Sequence, residues 1–155
     1  MKKILLLSMI GLMGILPAAF AQKNITSQDY RTALGVKFYP GAVSLKHFIK
    51  DNKAVEGLGY FWNRGMRITG LYELHYDIGN AEGLRWYVGP GAHIGLYNNK
   101  YYGGGSFLGL DGVIGLDYKF KGAPINASID WQPAFEFGDG AGFVSWGGLG
   151  IRYVF

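Results

Sequence analysis

Residues 106–120, SFLGLDGVIGLDYKF, place large apolar side chains at every second position over much of their length. One parity carries Leu108, Leu110, Ile114, Leu116 and Tyr118, and the other carries Asp111, Asp117 and Lys119. Alternation with a period of two indicates a β-strand that has one apolar face and one polar face. Strands of soluble proteins usually have about 5–6 residues. The stretch therefore predicts an unusually long strand with different surroundings on its two sides.

The same alternation recurs along the chain and predicts eight strands. Their bounds are 31–39, 42–50, 54–62, 66–78, 84–97, 106–120, 125–137 and 143–155. The breaks between them are short and rich in Gly, Pro and Asn, which favours antiparallel hairpins joined in up-and-down order. The chain also has 26 Gly, 10 Phe, 11 Tyr and 4 Trp, a composition typical of β-barrels. We predict an all-β fold, a closed eight-stranded antiparallel up-and-down transmembrane β-barrel.

In the last five predicted strands, every Asp, Glu, Lys and Arg falls on the parity opposite the large apolar residues. An eight-stranded barrel is just wide enough for side chains to fill, and ions buried inside it must pair. We therefore predict an interior salt-bridge network that plugs the barrel and excludes an open pore. Its members are Arg67, Glu73, Asp77, Arg85, Asp130, Glu136 and Arg152. The Gly79-Asn80 turn should set Asp77 directly opposite Arg85 inside the barrel, near the end at which both chain termini lie.

Two parts of the chain leave the assignment of faces open. Pro90 and Pro133 fall inside predicted strands, where each lacks a backbone donor, so β-bulges are expected there. In the first three strands, Lys46 and Glu56 can face inward only if Phe48 or Leu58 joins them.

Residues 1–21 have the pattern of a cleavable export signal. Lys2 and Lys3 precede an apolar run over 4–16, and Ala19-Phe20-Ala21 supplies a small-x-small cleavage site. The apolar run is short for a retained membrane anchor. Cleavage would leave residues 22–155 as one barrel domain, and loss of two lysines would lower the net charge from +4 to +2. So slight a charge gives no reason to expect a nucleic-acid partner.

The C-terminal residues 148–155, GLGIRYVF, resemble the closing strand of bacterial outer-membrane barrels. The stretches WYVGPG at 86–91 and IDWQP at 129–133 are also similar to those of small barrels of this class. With the signal peptide, they make the chain resemble the small eight-stranded outer-membrane β-barrel family typified by OmpX and the barrel domain of OmpA. The resemblance implies location in a bacterial outer membrane, contact with its lipid and lipopolysaccharide, and a monomeric state. It also implies that the barrel-assembly machinery reads Leu149, Ile151, Tyr153 and Phe155.

Both termini are then expected in the periplasm, with the turns near 40, 64, 98–105 and 138–142 facing outward. Only the connection from Asn98 to Gly105, with Tyr101 and Tyr102, is long enough to present a recognition surface. The three histidines lack the spacing of metal ligands, and the chain has no cysteine, so we expect neither a metal nor a cofactor.

Catalysis on lipid A would need a serine, a histidine and an orienting carboxylate. The serines Ser44, Ser106, Ser128 and Ser145 show no paired histidine in the sequence, so no catalytic residue is assigned. We expect a non-enzymatic outer-membrane protein with a structural, envelope or interaction role. One alternative is a barrel that binds or conducts a small apolar ligand, held near Leu71, Phe107 and Trp146 beside inward-facing glycines. Another is a soluble periplasmic carrier of the lipocalin type.

Overall fold

The computed structural model describes residues 30–39, 41–63, 65–98, 105–138 and 141–155. They form the strands β1 (Thr32–Phe38), β2 (Ala42–Lys50), β3 (Lys53–Trp62), β4 (Gly65–Asp77), β5 (Leu84–Tyr97), β6 (Ser106–Lys119), β7 (Ile125–Gly138) and β8 (Gly142–Val154). Each strand pairs antiparallel with the next, and β8 pairs with β1. The predicted closed, eight-stranded, up-and-down β-barrel is confirmed. None of the described residues belongs to a helix long and apolar enough to cross a membrane.

Some of the predicted features lie outside the described residues. They are the export signal at 1–21, the start of the barrel domain at 22–29, most of the longest connection with Tyr101 and Tyr102, and the turn residues Pro40, Arg64, Asp139 and Gly140.

The two faces of the sheet have the opposite polarity to those of a soluble barrel. Large apolar side chains cover the outside, where Leu110, Ile129 and Phe143 are 62%, 57% and 67% exposed. The largest fully buried side chains are those of Arg67 and Arg152, which point inward. The alternation that predicted two different faces on the long strands therefore separates an apolar exterior from a charged interior.

The prediction of β-bulges at the two prolines is wrong. Leu71 pairs with Gly91 and Leu74 with Val88, so the register of β4 against β5 is the same on both sides of Pro90. The register of β6 against β7 is likewise unchanged across Pro133. Each proline instead leaves a two-residue gap in one ladder and keeps its pairing on the other side, with Gly112 and Ser145 respectively. A one-residue slip would have turned every following charged side chain outward, a greater cost than one missing donor.

In the first three strands, the structure shows which residues face the interior, a point that alternation had left open. Lys46 and Glu56 both lie inside, and Phe48 and Leu58 are buried beside them. The inner face of this part of the barrel therefore mixes charged and large apolar side chains, and parity alone does not separate the two.

Inward-facing glycines mark places where the barrel is crowded. At Gly89 an added Cβ would run into the carbonyl oxygen of Tyr72, and at Gly115 it would lie 2.6 Å from Cβ of Asp130. An added Cβ would also lie within 3.0 Å of a neighbouring heavy atom at Gly91, Gly95, Gly109, Gly148 and Gly150. These glycines allow neighbouring groups to approach closely, which supports crowding over the alternative of small open cavities.

The two ends of the barrel differ in what fills them. We call the end with Tyr30, Phe155 and the turns 51–52, 78–83 and 120–124 the terminal end, and the opposite one the loop end. A cluster of buried apolar residues lies at the terminal end: Tyr30, Ala33, Phe48, Ala54 and Val154. A second cluster extends toward the loop end, where the partly buried Trp62 and Trp146 pack on it. The polar interior lies between and around these clusters.

Candidate functional site: the polar interior

The inner face of the barrel buries many polar and charged side chains. They are Lys37, Ser44, Lys46, Glu56, Arg67, Thr69, Glu73, His75, His93, Asp111, Asp117, Lys119, Asn126, Ser128, Asp130, Gln132, Glu136 and Arg152. An ion removed from water is tolerated only when partners satisfy it, so the pairing of these groups decides what the interior can do.

Arg152 on β8 is the centre of the largest group of contacts. Its Nε donates to Oγ of Ser44 at 2.6 Å, and its Nη1 donates to Oγ of Ser128 at 2.7 Å and to Oδ1 of Asn126 at 3.2 Å. Its Nη2 pairs with the carboxylate of Glu56. Because these partners lie on β2, β3 and β7, one guanidinium group connects strands on different sides of the barrel.

Lys37 on β1 makes a second connection of this kind. Its Nζ lies 2.6 Å from Oδ2 of Asp130 and 4.0 Å from Oε2 of Glu56. The other contacts of Asp130 hold it in place, since Tyr87 donates its hydroxyl at 2.6 Å and Gln132 donates Nε2 at 3.0 Å. Both carboxylate oxygens of Asp130 therefore have partners from the protein.

Lys46 on β2 pairs with Glu73 on β4 at 2.9 Å and with Asp117 on β6 at 3.5 Å. Its ammonium group also lies 4.3 Å from the centre of the Tyr87 ring. The imidazole of His75 stacks on the same ring and lies 2.8 Å from Oε2 of Glu73. A cation–π contact and two carboxylates together satisfy this buried lysine.

A fourth group lies nearer the loop end. Arg67 pairs with Asp111, and its Nη1 lies 3.6 Å from Oε1 of Glu136. His93 lies between the two carboxylates, with Nδ1 2.6 Å from Asp111 and Nε2 3.5 Å from Glu136. The guanidinium carbon of Arg67 is 4.4 Å from the centre of the Trp146 ring. This cation is therefore held by ions on one side and by an aromatic ring on the other.

Asp77 and Arg85 pair as cross-strand neighbours, but not inside the barrel as predicted. Their Nε–Oδ1 distance is 2.8 Å, and the side chain of Asp77 is 65% exposed. Arg85 also donates to the carbonyl oxygen of Asp51 at 3.0 Å. Asp77 is the last residue of β4 and Arg85 is the second residue of β5, so the pair sits on the rim of the terminal end. The hairpin geometry correctly predicted that the two residues are cross-strand neighbours. How far inside the barrel they lie depends on where the strands end.

A second pair at the terminal end joins two turns. Nζ of Lys121 lies 2.8 Å from Oε2 of Glu82, and both side chains are exposed. The hydrogen bond from Lys121 lowers the pKa of the Glu82 carboxyl, and the same contact raises the pKa of Lys121.

The structure brings five of the predicted network residues inside the barrel. Arg67 and Glu136 share the group nearer the loop end. Arg152, Asp130 and Glu73 belong to groups that are joined, because Glu56 lies against both Arg152 and Lys37, and Asn126 accepts from Arg152 and donates to Asp117, a partner of Lys46. Sequence reasoning missed Lys37, Lys46, Glu56, Asp111 and Asp117 as members. Asp111 and Asp117 already lay on the charged parity, and that parity was the available signal for them. The other three are on strands whose inner face was left open.

Three of the four serines considered for catalysis, Ser44, Ser128 and Ser145, have hydrogen-bond partners other than histidine. Ser44 and Ser128 contact Arg152, and Ser44 also donates to Glu56 at 2.6 Å. Ser145 lies on the outer face and accepts a hydrogen bond from Nε1 of Trp131 at 2.6 Å. No group of three metal-binding side chains suited to an ion occurs within the described ranges.

The residues considered for a ligand pocket are divided between two contacts. Leu71 belongs to the apolar cluster on which Trp146 packs. Phe107 lies instead against Tyr97, with ring centres 4.5 Å apart, and against His93. Leu149, Ile151, Tyr153 and Phe155, the residues of the expected assembly signal, all point outward and are 42–49% exposed.

Comparison with known proteins adds no further constraint, since no family model, curated protein or solved structure matches the chain. The chemistry of the site therefore follows from its contacts. Four buried cations are fixed by carboxylates from strands that are not neighbours in the sheet, and these contacts cross-link the barrel through its interior.

Proposed function

We propose that the protein is an integral outer-membrane β-barrel whose polar interior is a plug, with a structural, envelope or interaction role and no catalytic one. The observation that carries the proposal is the placement of charged side chains inside and large apolar side chains outside. In water, such an exterior would be a large exposed apolar surface, which monomeric soluble proteins rarely have. A lipid bilayer is the solvent that suits it.

The backbone supports the same proposal. A segment inside a bilayer must satisfy its own hydrogen bonds, and a closed barrel does so because it has no free edge. Strands β4 to β8 have 13 or 14 residues, enough for the about 9–11 residues that a tilted strand needs to cross the hydrocarbon. Aromatic pairs lie outside near the terminal end, including Tyr76 with Trp86 and Tyr118 with Phe120. Aromatic residues at that level are typical of membrane interfaces.

The export-signal pattern of residues 1–21 and the resemblance of the closing strand to those of outer-membrane barrels support a location for the protein in a bacterial outer membrane. Its partners are then the membrane lipid and lipopolysaccharide, and the barrel-assembly machinery during biogenesis; the barrel works as a monomer. The interior ion pairs hold opposite sides of the barrel together and leave no continuous water path through it.

Membrane fractionation and planar-bilayer recording test the proposal together. We expect the protein to remain with the outer-membrane fraction after an alkaline carbonate wash, and to give little conductance when inserted into a bilayer. Release into the soluble fraction would support a periplasmic carrier instead. Large, stable single-channel steps would show that the interior is a pore and not a plug.

A further inference from the structure

The outer face of β3, β4 and β5 has a depression at about mid-height. Its volume is about 580 Å³, and its lining residues are Val55, Glu56, Gly57, Gly70, Leu71, Tyr72, Pro90 and Gly91. Gly57 and Gly70 are cross-strand partners and form its floor. The surrounding exterior is apolar, so the depression is an interruption in an otherwise continuous apolar surface. We call it the outer groove.

Packing within the barrel does not require the two glycines of the outer groove. An added Cβ at Gly70 would have no heavy atom within 4 Å, and at Gly57 the nearest would be the carbonyl oxygen of Leu45 at 4.0 Å. This is unlike the inward glycines, where an added Cβ collides with its neighbours. A glycine within a strand costs stability and often marks a position where a ligand approaches closely. The open space above these glycines is therefore suited to an occupant from outside the chain.

Two lysines at the terminal end, one on β2 and one on β3, form no ion pair with any residue that the structure describes. Lys50 and Lys53 are cross-strand partners on either side of the β2–β3 turn. Like charges placed directly opposite each other are destabilising. Asp51, in the turn between them, forms no ion pair with either, whereas Arg85 and Lys121 at the same end are each paired with a carboxylate. No carboxylate in the described part of the chain neutralises the lysine pair.

We propose that the outer groove and the Lys50–Lys53 pair together bind one anionic phospholipid. Lys53, Val55 and Gly57 share the outward face of β3, and four residues of strand span roughly 13 Å. The two ammonium groups hold the lipid phosphate at the rim, and one acyl chain runs past Val55 into the outer groove. The proposal rests on the membrane location proposed above, because that location supplies the lipid. The positive charge of the two lysines favours an anionic headgroup, and the space above Gly57 and Gly70 accommodates the acyl chain.

Native mass spectrometry of the full chain in neutral detergent micelles tests the site. The micelles contain equal amounts of phosphatidylglycerol and phosphatidylcholine with identical acyl chains. We expect the wild type to retain one lipid, with phosphatidylglycerol preferred by about thirtyfold, since each of the two lysines near an anionic headgroup contributes about 1 kcal/mol, or about fivefold. The variant K50Q/K53Q should retain both lipids equally. The variant G57L/G70L, which fills the groove, should retain several-fold less of both.

Matched controls lie elsewhere on the same barrel. K121Q removes a cation from another turn of the terminal end, and G112L adds a side chain at an outward glycine of β6 that has room for it. Both should bind lipid as the wild type does. Equal retention of the two lipids by the wild type, or equal losses in the controls, would overturn the proposal. K50Q/K53Q changes only surface groups, so it decides the headgroup preference even if G57L/G70L fails to fold. Because micelles require no bilayer insertion, failure of the membrane proposal would be seen separately.

Discussion

At the scale of single residues, Arg152 shows how a charge is held inside the barrel. Its side chain is almost completely buried, and its three nitrogens contact four side chains on three other strands. A buried ion pair adds little stability over a well-packed apolar pair, but removal of one partner leaves the other charged, buried and alone. Arg152 therefore matters most through Glu56, the carboxylate that it neutralises.

The substitution Arg152→Ala should lower the free energy of unfolding by about 3–5 kcal/mol, because it leaves Glu56 without its closest cation. The matched substitution Lys121→Ala removes the pair with Glu82, in which both side chains are exposed, and should change the free energy of unfolding little. Urea unfolding in detergent micelles, followed by gel mobility, measures both. Similar losses in the two variants would contradict the account of the interior.

On the outer face, Trp131 carries a polar group, its indole N–H, among apolar side chains. Its ring is 52% exposed among outward apolar residues, and its indole N–H donates to the hydroxyl of Ser145, its one hydrogen-bond partner within the described ranges. In lipid, an indole N–H without an acceptor costs roughly 1–3 kcal/mol. Ser145→Ala should therefore destabilise the barrel by about that amount in a bilayer. Ser106→Ala, at another outward serine, should change the free energy of unfolding little. Equal effects would mean that the Trp131–Ser145 bond is unimportant.

At the scale of strands, alternation predicted the barrel because five long strands keep apolar and charged residues on opposite parities. The prediction was weaker where that separation fails. Phe48 and Leu58 face inward with Lys46 and Glu56, so the inner face of β2 and β3 has no single polarity. The prediction of β-bulges at Pro90 and Pro133 was wrong for a different reason. A missing donor suggests a bulge locally, but the register is set by the charged residues of the entire strand.

The interior pairs could be predicted only in part. The sequence indicates which residues face inward, and hairpin geometry sets Asp77 opposite Arg85. It does not indicate which ions meet across the barrel, because Lys37 and Asp130 lie on strands that are not neighbours. Such contacts depend on the barrel's width and on the stagger of its strands, and neither follows from alternation.

The closing strand β8 carries the prediction for Phe155. This side chain is 49% exposed on the outer face and packs edge-on against Tyr153, with ring centres 5.0 Å apart. Its burial contributes at most about 1.5–3 kcal/mol to the finished barrel. If the assembly machinery reads it, deletion of Phe155 should sharply lower the outer-membrane yield in cells.

The control for Phe155 is refolding without the machinery. The same deletion variant, refolded from urea into detergent, should reach a nearly normal yield of heat-modifiable barrel. Equal losses in cells and in detergent would assign the residue a packing role. If the deletion lowered the yield in neither cells nor detergent, Phe155 would not be part of an assembly signal.

At the scale of the molecule, the ion pairs inside the barrel and the apolar side chains outside it depend on each other. The pairs make a charged interior tolerable, and the exterior makes the barrel compatible with lipid. The four tryptophans divide between these surroundings. Trp86 and Trp131 point outward, whereas Trp62 and Trp146 pack against each other inside, with ring centres 5.6 Å apart.

Quenching of tryptophan fluorescence by brominated lipid compares the two faces directly. Two variants, each with one tryptophan, retain either Trp131 or Trp146, the other three being replaced by phenylalanine. In bilayers of phosphatidylcholine with bromine at mid-chain, the account predicts strong quenching of Trp131, which faces the hydrocarbon, and little quenching of Trp146 inside the barrel. Equal quenching of both, or stronger quenching of Trp146, would contradict the claim that the apolar exterior meets lipid.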